Sequence, residues 1–406
     1  MTLDIVFQGM VAPLRLHGAK DVLALLPKVA AGWPFDCRAA DLGAAPFFSI
    51  RSLPDAPLLL CQSHIEAKPA RRLDPVNAVC DVMAALALAL PAEDDRLICL
   101  HAAAVGMAGR LIVFPSVRRA GKSTLSVALA QAGYAFFGDD VLPLSFSADD
   151  RARGHALGIA PRLRLPLPKT LPQDFRDWAE QVDGPRNRQY KYLELAGQPV
   201  QGMTLPVGAF VILDRQDDLV SARLSPVSPD IAMDALLHQN FTRDRHSADI
   251  LRAIAATLSA QPVFRLAYAD LADAVACLEA AFACWPDRDL PDAAGQEQRF
   301  RLADFTRRPP ARRMPDTRYR QRQATLVRTI GDRLYLADAD GRAIHRMDPL
   351  ATEIWEVLED ATTARDLEEM LADAFPDTER DRIAADLRRM LESFVQVGLI
   401  EAGPGD

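Results

Sequence analysis

The stretch LIVFPSVRRAGKSTLSVALAQAG, residues 111–133, decides the fold of the central part of the chain. An apolar run predicts a buried strand, a short loop leads to Gly-Lys-Ser, and the residues that follow predict a helix ending at Gly133. This is the context of a phosphate-binding loop, because backbone N–H groups at a helix start attract phosphate oxygens. The stretch therefore predicts a nucleotide site in an α/β domain.

Individual positions of the loop have separate expected roles. Lys122 is expected to reach the β and γ phosphates of a nucleotide, and Ser123 to bind Mg²⁺. Ser116 occupies the place of the first glycine of G-x-x-x-x-G-K-S, where a β-carbon disfavours left-handed backbone angles. The arginines in the loop add positive charge, so both weakened and altered binding stay open. The predicted nucleotide-binding residues are Ser116, Arg118, Arg119, Ala120, Gly121, Lys122, Ser123 and Thr124.

An acidic pair follows one helix later, in the segment FFGDDVLPL. Asp139 and Asp140 end an apolar run, so a strand adjacent to that of the loop would bring them to a bound Mg²⁺. One carboxylate would hold the metal, and the other could accept a hydroxyl proton. Together with the loop, the pair indicates phosphoryl transfer.

Composition limits the class of protein. With 406 residues, 49% of them hydrophobic, the chain is expected to form two or three domains. A net charge of −8 argues against a mainly electrostatic nucleic-acid binder. The six cysteines form no C-x-x-C pair, which indicates reduced side chains. The start lacks a signal-peptide pattern and the most apolar segment, 78–91, is too short to span a bilayer, so we expect a cytoplasmic protein without membrane contact.

Four regions are predicted along the chain. Residues 1–95 form a small α+β region, and residues 96–284 alternate strand-like and helix-like runs, as an α/β domain does. Residues 285–323 have the composition of a solvated linker, since positions 299–322 hold nine Arg against two Asp. Residues 324–402 begin with a hairpin whose turn lies at 338–341, followed by helices at 349–360, 363–374 and 379–397. This order of elements fits a winged-helix topology.

The segments LICLHAAAVGMAGRLIVFPSVRRAGKSTL and AGYAFFGDDVLPL resemble the HPr kinase/phosphorylase family. The resemblance implies a phosphoenolpyruvate-carboxykinase-like mixed sheet, ATP and Mg²⁺ as cofactors, and Lys122 and Ser123 as ligands of phosphate and metal. It also implies Asp139 as general base, Asp140 as metal carboxylate and His101 as an orienting partner. Arg162 and Lys169 lie where the family has a further loop, and they are candidate phosphate clamps. Hexamers occur in that family, so an oligomer is compatible with the resemblance.

The C-terminal segment RAIHRMDPLATEIWEVLEDATTARDLEEMLADAF resembles the PqqD-like family of peptide chaperones. The resemblance implies that this region holds a leader peptide as an added strand at the edge of the 324–346 hairpin, beside the helix 379–397. The part of this segment that most clearly resembles the family ends at Trp355. Asp348 stands where the family usually has Asn.

The two resemblances together predict an ATP-dependent serine/threonine kinase that acts on a ribosomally made precursor peptide. Other peptide-modifying enzymes are potential partners. One alternative is a catalytically weak scaffold that presents a peptide to a partner enzyme. A second is a kinase for a small molecule or a folded protein.

Overall fold

The computed structural model describes residues 1–54, 56–94, 96–117, 120–146, 151–242, 245–285, 302 and 317–403. The chain divides into two compact units, Met1–Asp244 with Ala256–Arg288, and Arg245–Ala255 with Asp289–Asp406. The predicted regions 1–95 and 96–284 thus fall largely in one unit. Among the described residues we find no helix with the length and apolar character that crossing a membrane requires.

The N-terminal part of the first unit is a six-stranded sheet with two helices. Its elements are β1 (Thr2–Phe7), β2 (Leu14–His17), α1 (Lys20–Val29), β3 (Phe35–Ala39), β4 (Phe48–Ser52), β5 (Leu59–Ser63), β6 (Arg71–Leu73) and α2 (Pro75–Glu93). The strand order is β3-β1-β2-β4-β5-β6. The Asp74 carboxylate begins α2 by accepting hydrogen bonds from the amides of Val76 and Asn77. Apolar residues of the sheet and of both helices form one buried cluster.

The central part of the first unit contains the predicted loop. Its elements are β7 (Ile98–Leu100), β8 (Ala103–Met107), β9 (Arg110–Phe114), α3 (Lys122–Gln131), β10 (Ala135–Gly138), β11 (Leu142–Phe146), β12 (Ala152–His155), β13 (Arg162–Arg164), α4 (Gln173–Gln181), β14 (Tyr190–Tyr192), β15 (Thr204–Arg215), β16 (Arg223–Pro226), α5 (Pro229–Gln239), α6 (Ser247–Ala260), β17 (Val263–Tyr268) and α7 (Leu271–Phe282). Residues 134–146 have the apolar pattern of a single strand. The structure divides them into β10 and β11 at the acidic pair.

The central sheet mixes parallel and antiparallel pairs, which agrees with the mixed sheet that the family resemblance implies. Neighbouring strands follow the order β10-β8-β9-β15-β12-β11-β7, and β17 also pairs with β15 and with β16. The long strand β15 runs parallel to β9 and β17 and antiparallel to β12. Strands β13 and β14 form a separate two-stranded sheet. Apolar residues of α3 and α7 share one buried cluster with the strands, which fixes the start of α3 at the sheet edge.

Among its described residues, the second unit contains two three-stranded sheets, three complete helices and part of a fourth. Its elements are β18 (Arg318–Gln321), β19 (Leu326–Ile330), β20 (Arg333–Ala337), β21 (Ile344–Met347), α8 (Pro349–Val357), β22 (Thr362–Thr363), α9 (Ala364–Ala374), α10 (Arg380–Gln396) and β23 (Ile400–Gly403), with residues 247–255 of α6. The sheets have the orders β19-β20-β21 and β22-β18-β23. The three predicted helices are present, each within a few residues of its expected bounds.

The structure differs from the predicted linker at two places. Strand β18 lies inside 285–323 and pairs with both β22 and β23, because its alternating side chains suit a sheet. Leu302 is fully buried in the apolar cluster of the second unit, and its amide donates to Glu353 Oε2 at 2.8 Å. The other predicted linker residues between 286 and 316 lie outside the described residues.

Candidate active site

The described part of the loop, the acidic pair and His101 converge at one edge of the central sheet. Strand β8 runs antiparallel to both β9 and β10, so β9 and β10 point the same way. The loop after β9 and the acidic pair after β10 therefore leave the sheet at the same edge. His101 precedes β8, and the start of that antiparallel strand lies at this edge too. Topology alone thus brings three parts of the sequence together.

Gly121 is the position of the loop that only glycine suits. Its φ is +95°, a left-handed conformation, and it directly precedes the first residue of α3. A β-carbon at Gly121 would lie 2.6 Å from Tyr268 Oη, which is too close for any side chain. Tyr268 also donates a hydrogen bond to the Ala120 carbonyl at 3.3 Å. The loop is therefore tied to the end of β17 by a buried tyrosine.

Ser116 does not strain the loop in the way its position suggested. Among the described residues only Ala108 combines a positive φ with a side chain, so Ser116 has no left-handed backbone. Its hydroxyl instead accepts a hydrogen bond from the Leu213 amide at 2.9 Å. The serine thus anchors the start of the loop to β15. Arg118 and Arg119 lie outside the described residues.

Lys122 and Ser123 stand in the first turn of α3, followed by the half-buried Thr124. The buried Lys122 Nζ donates to the Ser116 carbonyl at 2.6 Å and to the Val117 carbonyl at 3.3 Å. The ammonium group thus lies against the start of the loop. The Ser123 hydroxyl acts to lower the pKa of the nearby Asp139 carboxyl. Loop and acidic pair are therefore neighbours.

Asp139 is the buried member of the acidic pair, with only 8% of its surface exposed. Its Oδ2 accepts a hydrogen bond from the Arg162 amide at 3.4 Å. Burial, together with the nearby charge of Asp140, raises the pKa of Asp139 to about 7. Asp139 consequently exchanges its proton near neutral pH.

Asp140 has a different environment, although it is the next residue. Its side chain is 47% exposed, and its Oδ2 accepts a hydrogen bond from Arg162 Nη2 at 2.6 Å. His101 Nε2 lies 3.7 Å from its other oxygen. Burial opposes ionisation, but the nearby His101 and the charges of Arg162 and Lys122 outweigh it and lower the pKa of Asp140. Asp140 is therefore the ionised, accessible carboxylate.

Arg162 is held on three sides at the start of β13. Its amide contacts Asp139, its guanidinium contacts Asp140, and its Cζ lies 4.6 Å from the centre of the Tyr190 ring. Burial acts to lower the pKa of Arg162, but the charge of Asp140 raises it overall. Lys169, the other predicted clamp, is exposed in a turn and has no hydrogen bond or ion pair within the described chain.

Two tyrosines of the site carry no sequence motif. Tyr268 supports the loop and Tyr190 supports Arg162, yet they lie far from both motifs in the chain. The one feature of the sequence that could have identified Tyr268 as a site residue is its place at the end of a strand. Since parallel strands end at one edge, β17 beside β15 and β9 brings Tyr268 to the loop.

The predicted peptide-binding elements lie in the second unit. Strands β19 and β21 are the two outer strands of their sheet among the described residues, and α10 packs its apolar face into the same core. Trp355 is 7% exposed in this core. Asp348 begins α8 by accepting a hydrogen bond from the Ala351 amide at 2.8 Å. Asp and Asn cap helices equally well, which explains why Asp stands in the place of Asn.

Comparisons with known proteins identify one domain. Residues 333–400 match the family described as "Coenzyme PQQ synthesis protein D (PqqD)", so the chain carries a PqqD domain there. Among solved structures, the Hpr(Ser) kinase/phosphatase from Coxiella burnetii is similar at 12% identity and a TM-score of 0.20, over 42% of this chain and 84% of that chain. At this TM-score the likeness carries no chemical information, so the site depends on its own geometry. A comparison with curated proteins gives no match.

Proposed function

We propose that the first unit is an ATP-dependent phosphotransferase and that its acceptor is a precursor peptide held by the PqqD domain. The observation that supports the proposal is the convergence of Ser123, at the start of α3, with the aspartate pair after β10 at the same end of the central strands. A phosphate-binding loop, a hydroxyl for Mg²⁺ and two carboxylates at one sheet edge are the parts that phosphoryl transfer requires.

The residues present fit ATP and Mg²⁺. Gly121 leaves the start of α3 without a side chain, so the backbone N–H groups there can approach phosphate oxygens closely. Lys122 already lies within the loop and would exchange its carbonyl partners for phosphate oxygens. Ser123 and one carboxylate would supply two oxygen ligands to Mg²⁺, which takes its remaining ligands from water and phosphates. Bound Mg²⁺ would neutralise charge on the transferring group.

The contacts favour an exchange of the two aspartate roles that the resemblance implies. Asp139 is buried and lies near Ser123, the expected metal ligand, so it is suited to hold Mg²⁺. Asp140 is accessible and ionised, so it is suited to accept the proton of an incoming hydroxyl. In this arrangement His101 and Arg162 orient the Asp140 carboxylate, and Arg162 lies ready to contact the transferred phosphoryl group.

The PqqD domain supports a peptide as acceptor. Families of this kind hold precursor peptides for enzymes that modify them, and the outer strands β19 and β21 could accept a leader as an added strand. A leader held in the same chain raises the effective concentration of the acceptor residue at the kinase site. In this proposal the first unit transfers the phosphoryl group and the PqqD domain holds the peptide.

One observation favours the scaffold alternative. Lys122 is hydrogen-bonded to carbonyl groups of its own loop, which is also what a loop without turnover would show. Isothermal titration of the full chain with ATP and MgCl₂ distinguishes the two. The proposal requires binding that depends on Mg²⁺, and a scaffold with a non-functional loop gives no binding.

A further inference from the structure

Arg164 is a positioned cation beside the candidate site. It follows Arg162 by two residues on β13, so both side chains lie on the same face of the strand. Both guanidinium groups lie over the Tyr190 ring, with Cζ at 4.6 Å for Arg162 and 5.7 Å for Arg164. Arg162 is paired with Asp140, whereas Arg164 is exposed and contacts no carboxylate within the part of the chain that the structure describes.

The tyrosine under the two arginines is held in place. Asn187 Oδ1 accepts a hydrogen bond from the Tyr190 amide at 2.8 Å. The Asn187 side chain in turn donates to the Asp74 carboxylate at 3.0 Å, at the start of α2. The backbone of Tyr190 is therefore anchored to the start of α2, and the position of the Arg164 guanidinium over the Tyr190 ring restricts that side chain before it binds a ligand.

We propose that Arg164 binds an acidic side chain of the acceptor, two residues from the hydroxyl that is phosphorylated. The inference rests on the proposed function, because it takes Asp140 and Arg162 as the position of that hydroxyl. Two residues along β13 span about 6.6 Å, and an extended peptide has the same repeat. When the acceptor hydroxyl lies at Asp140, the peptide side chain two residues away therefore lies opposite Arg164.

The test uses three short peptides, each with a single serine. The residues two positions to either side of the serine are aspartate in the first peptide, alanine in the second and lysine in the third. Fluorescence anisotropy measures their binding to the full chain with MgCl₂ and a non-hydrolysable ATP analogue, so no phosphoryl transfer is needed. The variants are Arg164→Ala, Arg164→Glu and, as a matched control, Arg188→Ala, which removes another exposed arginine close to Tyr190.

The parent protein should bind the aspartate peptide about two- to fivefold more tightly than the alanine peptide, as a largely exposed ion pair does. Arg164→Ala should remove this preference, Arg164→Glu should transfer it to the lysine peptide, and Arg188→Ala should leave it unchanged. Equal binding of the three peptides by the parent overturns the inference. So does an Arg164→Ala variant that keeps the preference but binds the ATP analogue more weakly, which would assign Arg164 to the nucleotide.

Failure of the proposed function has a separate signature. If the parent protein does not bind ATP·Mg²⁺, the phosphotransferase is refuted whatever the peptides do. If it binds ATP·Mg²⁺ but binds all three peptides alike, only the role of Arg164 is refuted.

Discussion

Replacing Asp139 by asparagine should stabilise the protein, and the gain should depend on pH. The buried Asp139 has a pKa of about 7 in the folded state, against the ordinary value of 3.8. Between these values the folded state keeps a proton that the unfolded chain has lost, so stability falls as pH rises from about 4 to 7. Asparagine keeps the shape and never ionises, so it avoids this cost.

The magnitude follows from the two pKa values of Asp139. A difference from 3.8 to about 7 corresponds to about 4 kcal/mol of destabilisation above pH 7, since one pKa unit is about 1.4 kcal/mol. At pH 5 only about 2 kcal/mol of this cost is present. Asp139→Asn should therefore unfold at a temperature higher by roughly 8 °C at pH 8, and by about half as much at pH 5.

Thermal unfolding of the full chain without nucleotide or metal, at pH 5 and pH 8, measures the effect. Asp140→Asn is the matched control. It removes the partner of Arg162 at 2.6 Å, so it should lose stability at both pH values instead of gaining it. If Asp139→Asn gives no gain at pH 8, or the same gain at both pH values, the account of Asp139 as a buried, protonated carboxyl is wrong.

Three further predictions concern the site and the acceptor. Lys122→Ala should abolish the rise in unfolding temperature that ATP·Mg²⁺ produces, and it should lower the temperature without ligand by only a few degrees, because two loop carbonyls lose their donor; equal stabilisation of variant and parent by ATP·Mg²⁺ would contradict its role. Tyr268→Phe removes the hydrogen bond to the Ala120 carbonyl but keeps the ring, so in a steady-state assay the KM for ATP should rise severalfold with kcat nearly unchanged, and an unchanged KM would mean that the tyrosine only fills space. A precursor peptide without its leader should show a strongly raised KM and nearly the same kcat, since the leader is held equally in the ground and transition states, and a fall in kcat alone would refute that view.

The local pattern of the sequence is sufficient to predict the strand and the helix on either side of the loop. Strand β9 and helix α3 lie at the predicted positions because an apolar run, a glycine with a left-handed backbone and a helical period each constrain the chain over a few residues. The three helices of the second unit are predictable for the same reason. Their apolar stripes and their capping residues Asp348 and Thr363 act locally.

The partners that support the site could not be read from the sequence. Tyr268 and Tyr190 act through contacts with residues far away in the chain, and no periodic pattern encodes which strand ends meet. The different environments of Asp139 and Asp140 also arise from long-range packing, because the fold buries one carboxyl against Ser123 and leaves the other beside His101. Strand β18 escapes prediction because its basic composition is also that of a linker.

Transfer of the γ-phosphate of ATP to a precursor peptide can be measured directly. The full chain is incubated with γ-labelled ATP, MgCl₂ and a leader-bearing precursor peptide that contains serine or threonine, and the label is followed by intact-mass spectrometry and autoradiography. The peptide should become labelled with the parent protein and stay unlabelled with Lys122→Ala or Asp140→Asn. A parent protein that binds both ATP·Mg²⁺ and the leader but leaves the peptide unlabelled would refute the peptide kinase and favour the scaffold.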